Sequence, residues 1–190
     1  MIRSLPRFSS LIARYPRKHE ISAKQLFDSI GGQVRASLSD GDNTCAIRMS
    51  YALNESGTPV RTTPGVHMLK GAPYIARWAA DQASPTKTAD LYIFRVLDVK
   101  AYLVSRYGPG TLIYDGHRPD RFALPIRGVT QGIIVFEWRG HYGAFGAAGH
   151  VDLFRVVPSP GSPPTLAPGC FGECFFLRGP MVAYFWETRP

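Results

Sequence analysis

The chain has 190 residues, of which 45% are hydrophobic and 12% aromatic, which is enough for a globular core and excludes a disordered or fibrous chain. Lys and Arg outnumber Asp and Glu by 22 to 14, for a net charge of +8, so the surface should attract anionic polymers or membrane surfaces. No apolar run approaches the length of a membrane span, and residues 1–8 lack the apolar core of a secretory signal. We expect one domain, residues 1–190, exported without a cleaved signal if it is exported.

The first half of the chain has the apolar spacing of helices. Leu26, Phe27 and Ile30 recur at helical intervals after Ser22, a suitable cap, and two glycines follow. By the same criteria we predict helices over residues 23–30, 46–54, 74–83 and 96–107. Residues 59–70 contain two prolines and a glycine and are predicted to be a loop, whereas residues 91–94 fit either a short strand or a continuing helix.

The second half changes to the period-two pattern of strands, interrupted by glycine and proline. We predict strands over residues 133–138, 150–157, 174–177 and 182–186. Residues 108–127 are predicted to be a loop, and residues 157–169, which are rich in proline, a stiff extended insertion. An antiparallel sheet packed on helices predicts an α+β fold.

Cys45 lies where a capping cluster meets a predicted helix. Asp42, Asn43 and Thr44 precede it, and all three side chains can accept hydrogen bonds from the free N–H groups of a first helical turn. Those N–H groups and the positive end of the helix dipole favour a thiolate over a thiol, which lowers the pKa of a cysteine. Cys45 is therefore a candidate nucleophile. The alternative is a small apolar residue packed at a helix start.

His150 is the candidate partner of Cys45. A cysteine on an early helix and a histidine opening a later strand is the layout of papain-like enzymes, whose catalytic residues meet only in the fold. The small residues at 146–149 leave room for a substrate beside the imidazole. Val151 and Leu153 alternate with His150 and Asp152, which predicts a strand with one polar face. Alternatively, His150 is a half-buried histidine with a structural role.

Cys170 and Cys174 are the two other cysteines. Gly172 between them permits a tight turn, so the pair can close a small disulfide loop, which would persist only in an oxidising compartment. The alternatives are two reduced thiols or half of a metal site. A zinc site needs four clustered ligands, and the remaining candidates are scattered along the chain. We favour the disulfide and expect no metal and no cofactor.

Other polar residues have simpler interpretations. Arg48 follows Cys45 by one helical turn, and we favour an anchoring role on an acidic neighbour over contact with a substrate carboxylate. Ser50 has no nucleophile elbow around it, which disfavours serine chemistry. Surface positions are predicted for the four other histidines, His19, His67, His117 and His141.

Several segments together resemble the fourth family of type VI secretion amidase effectors. The resemblance covers most of residues 8–187, and its segments occur in the family's order. The cysteine segment, residues 43–54, is the specific one. The others are Leu26-Phe27-Asp28, Ile30-Gly31-Gly32-Gln33-Val34, Gly132-Ile133-Ile134-Val135-Phe136, Gly149-His150-Val151-Asp152-Leu153 and Val182-Ala183-Tyr184-Phe185-Trp186.

The resemblance implies a fold and a function. Members of this family are papain-like amidases, similar to cell-wall peptidases of the NlpC type, which are delivered into a rival bacterium and cut its peptidoglycan stem peptides in the periplasm. It implies Cys45 as the nucleophile and His150 as the base, and the γ-D-glutamyl bond to meso-diaminopimelate as the target. The implied partners are a component of the secretion apparatus and a cognate immunity protein, with no nucleic acid.

A third catalytic residue should accept the other imidazole N–H and fix the tautomer of His150. The resemblance implies an acid near the paired cysteines, and this chain has Glu173 there. Asp152 lies two residues from His150 on the same strand, about 6.6 Å away along the backbone, and reaches the ring only if its side chain leans back. We favour Glu173 and keep Asp152 as the alternative.

The sequence thus predicts a cysteine-dependent peptidoglycan amidase. The alternative from another class is a basic, non-catalytic module that binds nucleic acid or an anionic membrane surface, in which Cys45 is a core residue.

Overall fold

The computed structural model describes residues 4–72, 90–115, 130–138, 149–156 and 181–189. Five helices and six strands lie in these ranges. The helices are α1 (Phe8–Arg14), α2 (Ala23–Ile30), α3 (Gly32–Ser37), α4 (Cys45–Glu55) and α5 (Val96–Tyr107). The strands are β1 (Met68–Lys70), β2 (Leu91–Ile93), β3 (Thr111–Asp115), β4 (Thr130–Trp138), β5 (Gly149–Val156) and β6 (Met181–Glu187).

Helix α2 confirms its predicted limits, and local chemistry explains them. Ser22 and Gln25 form a reciprocal capping box that satisfies two backbone N–H groups at the start of α2. The glycines after α2 were predicted only to break the helix, but α3 begins at Gly32. Gly32 has φ 57°, and a Cβ there would collide with the backbone of Gly71, so the packing of α3 against the segment after β1 requires glycine.

A four-stranded antiparallel sheet holds the second half of the described chain, in the order β3-β6-β4-β5. In the β4–β5 pair Phe136 lies opposite His150 and Ile134 opposite Asp152. Strands β1 and β2 form a separate antiparallel pair. The predicted strands at β4, β5 and β6 are confirmed. Residues 91–94 were predicted as either a short strand or a continuing helix, and β2 shows that the strand is correct.

Two loop predictions were wrong in part. Strand β1 occupies the end of the predicted loop over residues 59–70, and β3 lies in the predicted loop over residues 108–127. Both are short strands with little apolar alternation, and each owes its structure to pairing with a distant strand. The predicted helix over 74–83, the strand over 174–177 and the proline-rich insertion over 157–169 lie outside the described residues.

Helices α4 and α5 pack against the sheet and enclose the larger hydrophobic cluster. Its fully buried members come from both layers, including Met49, Leu53, Val99, Leu103, Val151 and Leu153. A smaller cluster joins α2 and α3 to α4 and β2. Helices on an antiparallel sheet confirm the predicted α+β class. No helix in the described ranges is long and apolar enough to cross a membrane.

Candidate active site

Cys45 is the first residue of α4, as predicted, and its thiol is free and buried. The expected capping cluster is only partly correct. The Asn43 side chain accepts a hydrogen bond from the Cys45 N–H at 3.1 Å. Thr44 instead accepts from the Arg48 side chain, and Asp42 accepts from a backbone N–H three residues earlier. Of the three predicted capping residues, Asn43 accepts a hydrogen bond from the start of α4, and its donor is the N–H of Cys45 itself.

Arg48 anchors the nucleophile helix to the chain that follows α1. It is buried at 3% exposure, and its guanidinium donates to the carbonyl oxygens of Pro16 and Ile21 at 2.5 and 2.8 Å. Its Nε donates to the Thr44 hydroxyl at 2.8 Å. The favoured anchoring role is supported, and its anchors include two carbonyl oxygens and a hydroxyl.

His150 is the second residue of β5, and helix α4 packs against this strand. Its ring is buried and stacks on the ring of Phe136 across the β4–β5 pair, at 6.2 Å between centroids. Gly149 was expected to leave room for a substrate. A Cβ there would instead collide with the Phe136 carbonyl oxygen and crowd Val96 of α5. Close packing therefore explains this glycine.

Asp152 reaches the imidazole ring from the same strand. Its Oδ2 lies 3.7 Å from His150 Nε2, and its Oδ1 accepts a hydrogen bond from the Leu153 N–H at 2.8 Å. The carboxylate has no exposed surface. The predicted polar face of this strand is therefore buried, and its two polar side chains interact.

Burial and two neighbours set the pKa of His150. Burial lowers this pKa, but Asp152 and Cys45, which both interact with the ring, raise it from an ordinary 6.5 to about 9. The ring is then an imidazolium at neutral pH. An imidazolium in this position can donate a proton to a leaving group.

Tyr15 is a residue of this site that the sequence did not reveal. It directly follows α1 and is 4% exposed, and burial, followed by the charges of Asp152 and Cys45, raises the pKa of Tyr15 well above its ordinary value. Nothing in its local sequence distinguishes it from the eight other tyrosines, because its contact with β5 exists only in the fold.

Other predicted residues lie apart from this site or have structural contacts. Ser50 is buried and joins α4 to β2 through hydrogen bonds with the backbone of Ile93. His19 is exposed, and His67 is also exposed and contacts Asp98 at 3.1 Å. These positions agree with the surface prediction for both histidines.

Some predicted residues fall outside the described ranges. These are Glu173, the cysteines of the predicted disulfide, Cys170 and Cys174, and the histidines His117 and His141. Their roles stay predictions. Within the described ranges, no group of three or more His, Cys, Asp or Glu side chains is arranged to hold a metal ion.

Comparison with solved structures finds similar proteins over almost the whole chain. Tae4 from Enterobacter cloacae is 27% identical, with a TM-score of 0.64 and 100% of both chains covered. Tae4 from Salmonella typhimurium, solved with the immunity protein Tai4 from Enterobacter cloacae, is 26% identical, with a TM-score of 0.64, 96% of this chain covered and 99% of that one. Among curated proteins, no relative matches this chain.

A family model, that of the type VI secretion system amidase effector protein 4, matches residues 42–159. The match contains Cys45, His150 and Asp152 and ends before Glu173. The match covers more than half of the chain. Together with the similar structures, it confirms the resemblance and the papain-like fold. It also decides against the alternative of a non-catalytic binding module. The chain belongs to the Tae4 family of type VI secretion amidase effectors, cysteine-dependent hydrolases that act as antibacterial toxins by degrading peptidoglycan.

Proposed function

We propose that Cys45 is the nucleophile of peptidoglycan amide hydrolysis, that His150 is its acid and base, and that Asp152 orients the imidazole. The observation that carries this proposal is the position of His150, buried between the nucleophile helix and Asp152, with a pKa of about 9. Glu173 was favoured because the resemblance implies an acid near the paired cysteines and because a neighbouring segment should approach the ring more easily than a residue of the same strand. The distance of 3.7 Å between His150 Nε2 and Asp152 Oδ2 supports the alternative, Asp152.

The chemistry follows from this arrangement. The Cys45 thiolate attacks the amide carbonyl, and N–H groups at the start of α4 stabilise the oxyanion. Protonated His150 gives its proton to the leaving amine, so the carbon–nitrogen bond breaks and a thioester remains. Neutral His150 then takes a proton from water, which attacks the thioester. The carbon–sulfur bond breaks, which releases the carboxylic acid and restores the Cys45 thiolate beside protonated His150. Asp152 keeps the ring in the tautomer that serves both steps.

The target bond that we propose is the γ-D-glutamyl bond to meso-diaminopimelate in the stem peptide, reached in the periplasm of a target bacterium after delivery by the secretion apparatus without a cleaved signal. Family membership supports this target. The Tae4 structures from Salmonella and Enterobacter that are complexes with Tai4 support a cognate immunity protein as a partner.

The test is mass spectrometry of purified peptidoglycan after digestion by the protein. We expect two new products, one ending in γ-D-glutamate and one beginning with a free diaminopimelate amine. Cys45→Ala should produce neither and keep its thermal unfolding midpoint, because a small side chain replaces a small one. Cleavage by the Cys45→Ala variant at the wild-type rate would overturn the assignment of the nucleophile.

A further inference from the structure

Thr44, the residue before Cys45, does not cap the nucleophile helix. A threonine at this position usually accepts a hydrogen bond from the second or third N–H group of the helix, here that of Ala46 or Ile47. The Thr44 side chain makes no such bond, and its backbone is helical (φ −91°, ψ −6°), whereas a capping residue is normally extended. Its hydroxyl accepts from Nε of Arg48 at 2.8 Å instead. The side chain best placed to occupy those N–H groups is thus directed to Arg48.

Arg48 joins Thr44 to a distant segment of the chain. A guanidinium is planar and directs its N–H groups along fixed lines. Besides the bond from Nε to Thr44, its two terminal nitrogens donate to the carbonyl oxygens of Pro16 and Ile21 at 2.5 and 2.8 Å. One rigid group therefore sets where Thr44 lies relative to the chain between α1 and α2. We call these two side chains the Arg48–Thr44 clamp.

Burial makes the clamp stiff. Arg48 is 3% exposed, and a buried cation is costly unless hydrogen-bond acceptors surround it. Hydrogen bonds to a charged donor are roughly twice as strong as those between neutral groups. Rotation of the Thr44 hydroxyl away from Arg48 would remove one of these acceptors from the guanidinium, so the hydroxyl is held in place.

We infer that Arg48 and Thr44 are positioning residues of this amidase, which fix the start of α4 and keep its N–H groups available to the oxyanion. The inference rests on the function proposed above, which places the oxyanion at these N–H groups. Both side chains act on the reaction through the backbone that begins at Cys45, and neither takes part in the chemistry itself.

The first test compares Thr44→Val with Thr44→Ser. Thr44→Val keeps the branched shape but removes the acceptor of the Arg48 bond, whereas Thr44→Ser keeps the hydroxyl. For Thr44→Val we expect kcat on muropeptides to fall by about tenfold or more with KM unchanged, because a small misplacement of catalytic groups can cost up to about 10²-fold. Thr44→Ser should recover most of the wild-type kcat. Wild-type kcat in Thr44→Val, or an equal loss in Thr44→Ser, would overturn the inference.

Asn54→Leu is the matched control for the loss of a helix anchor. Asn54 lies in the last turn of α4, where its side chain donates to the Leu91 carbonyl oxygen and accepts from the Val60 N–H. Like Thr44→Val, this change keeps the shape of the side chain and removes its polar contacts. It should lower the thermal unfolding midpoint but keep the wild-type kcat. An equal loss of kcat in Asn54→Leu would mean that any anchor of α4 has this effect, and the inference would fail.

Amide hydrogen exchange, measured by NMR, tests the clamp without a substrate. The Arg48 N–H donates to the Thr44 carbonyl oxygen at 2.8 Å, at the start of the helix. In Thr44→Val this N–H should exchange about tenfold faster, because a hydrogen bond to a charged group no longer holds Thr44. Its rate should be unchanged in Asn54→Leu. Wild-type exchange in Thr44→Val would overturn the inference, whereas a wild-type protein that left peptidoglycan intact would overturn the proposed function.

Discussion

Two histidine–aspartate pairs occur among the described residues, and the closer pair is not the one that we propose to be catalytic. His67 Nδ1 lies 3.1 Å from Asp98 Oδ2, while His150 Nε2 lies 3.7 Å from Asp152 Oδ2. The side chain of His67 is 62% exposed and that of His150 is 7% exposed. The two pairs therefore have similar geometry in very different surroundings.

Burial and neighbours give the two pairs different chemistry. Water reaches the exposed ring of His67, although Asp98 is only 11% exposed, and Arg95 approaches both members, so the charge of Asp98 is shared. The His150–Asp152 pair has no such screening, and its third neighbour is the thiol of Cys45. A short distance between a base and an acid is thus insufficient evidence of an active site. A buried pair that is completed by a nucleophile is much stronger evidence.

The largest expected effect comes from replacing the two histidines in turn. His150→Gln should lower the rate of muropeptide hydrolysis by about 10⁴-fold or more, because it removes the group that moves the proton. His67→Gln should stay within about twofold of the wild type, because an exposed pair contributes little. The measurement is kcat on purified muropeptides. Equal losses in both variants would place the exposed pair in the catalytic machinery.

The two aspartates give the next comparison. Asp152→Asn should lower kcat by up to about 10⁴-fold, since the amide lets the imidazole adopt the wrong tautomer. Asp98→Asn, the matched change in the exposed pair, should leave kcat nearly unchanged. Circular dichroism of both variants checks that each is folded.

Glu173→Gln belongs in the same experiment. If Asp152 orients the ring, Glu173→Gln should lower kcat far less than Asp152→Asn. The opposite ranking would assign the orienting role to Glu173, as the sequence first suggested. Wild-type rates for both variants would mean that another group holds the ring.

The sequence predicted the parts of this site that depend on local signals. The start of α4 at Cys45 follows from capping residues ahead of a helix former, and the strand of His150 follows from its period-two pattern. Helices α2 and α5 were predicted with the limits that the structure shows, because their apolar spacing and flanking residues agree.

Local sequence patterns could not predict which distant segments of the chain contact one another. Helix α1 and strand β3 have weak local patterns and are stabilised by what they pack against, so neither was predicted. The charge of Asp152 acts on the pKa of Tyr15 although 137 positions separate the two residues in the sequence. The approach of Asp152 to His150 was underestimated because backbone spacing along a strand ignores how far a side chain can lean.

The smallest expected effect is on the pH dependence of stability. The pKa of His150 is about 9 in the folded protein and 6.5 for an ordinary histidine. A raised pKa means that the folded state binds the proton more tightly, so this stabilisation is complete below about pH 6.5 and is lost as the pH rises through 9. The free energy of unfolding should fall by up to about 3 kcal/mol over that window. Urea denaturation at several pH values measures it.

The same two histidines test the cause of this slope. His150→Gln removes the group whose pKa is raised, so its free energy of unfolding should change much less between pH 6.5 and 9. His67→Gln is the control, because it changes a histidine outside the His150–Asp152 pair. Asp152→Asn should flatten the slope in part, since Asp152 is one of the two neighbours that raise the pKa of His150. A slope that disappeared in His67→Gln and persisted in His150→Gln would show that exposure does not separate the two pairs, and the contrast between them would fail.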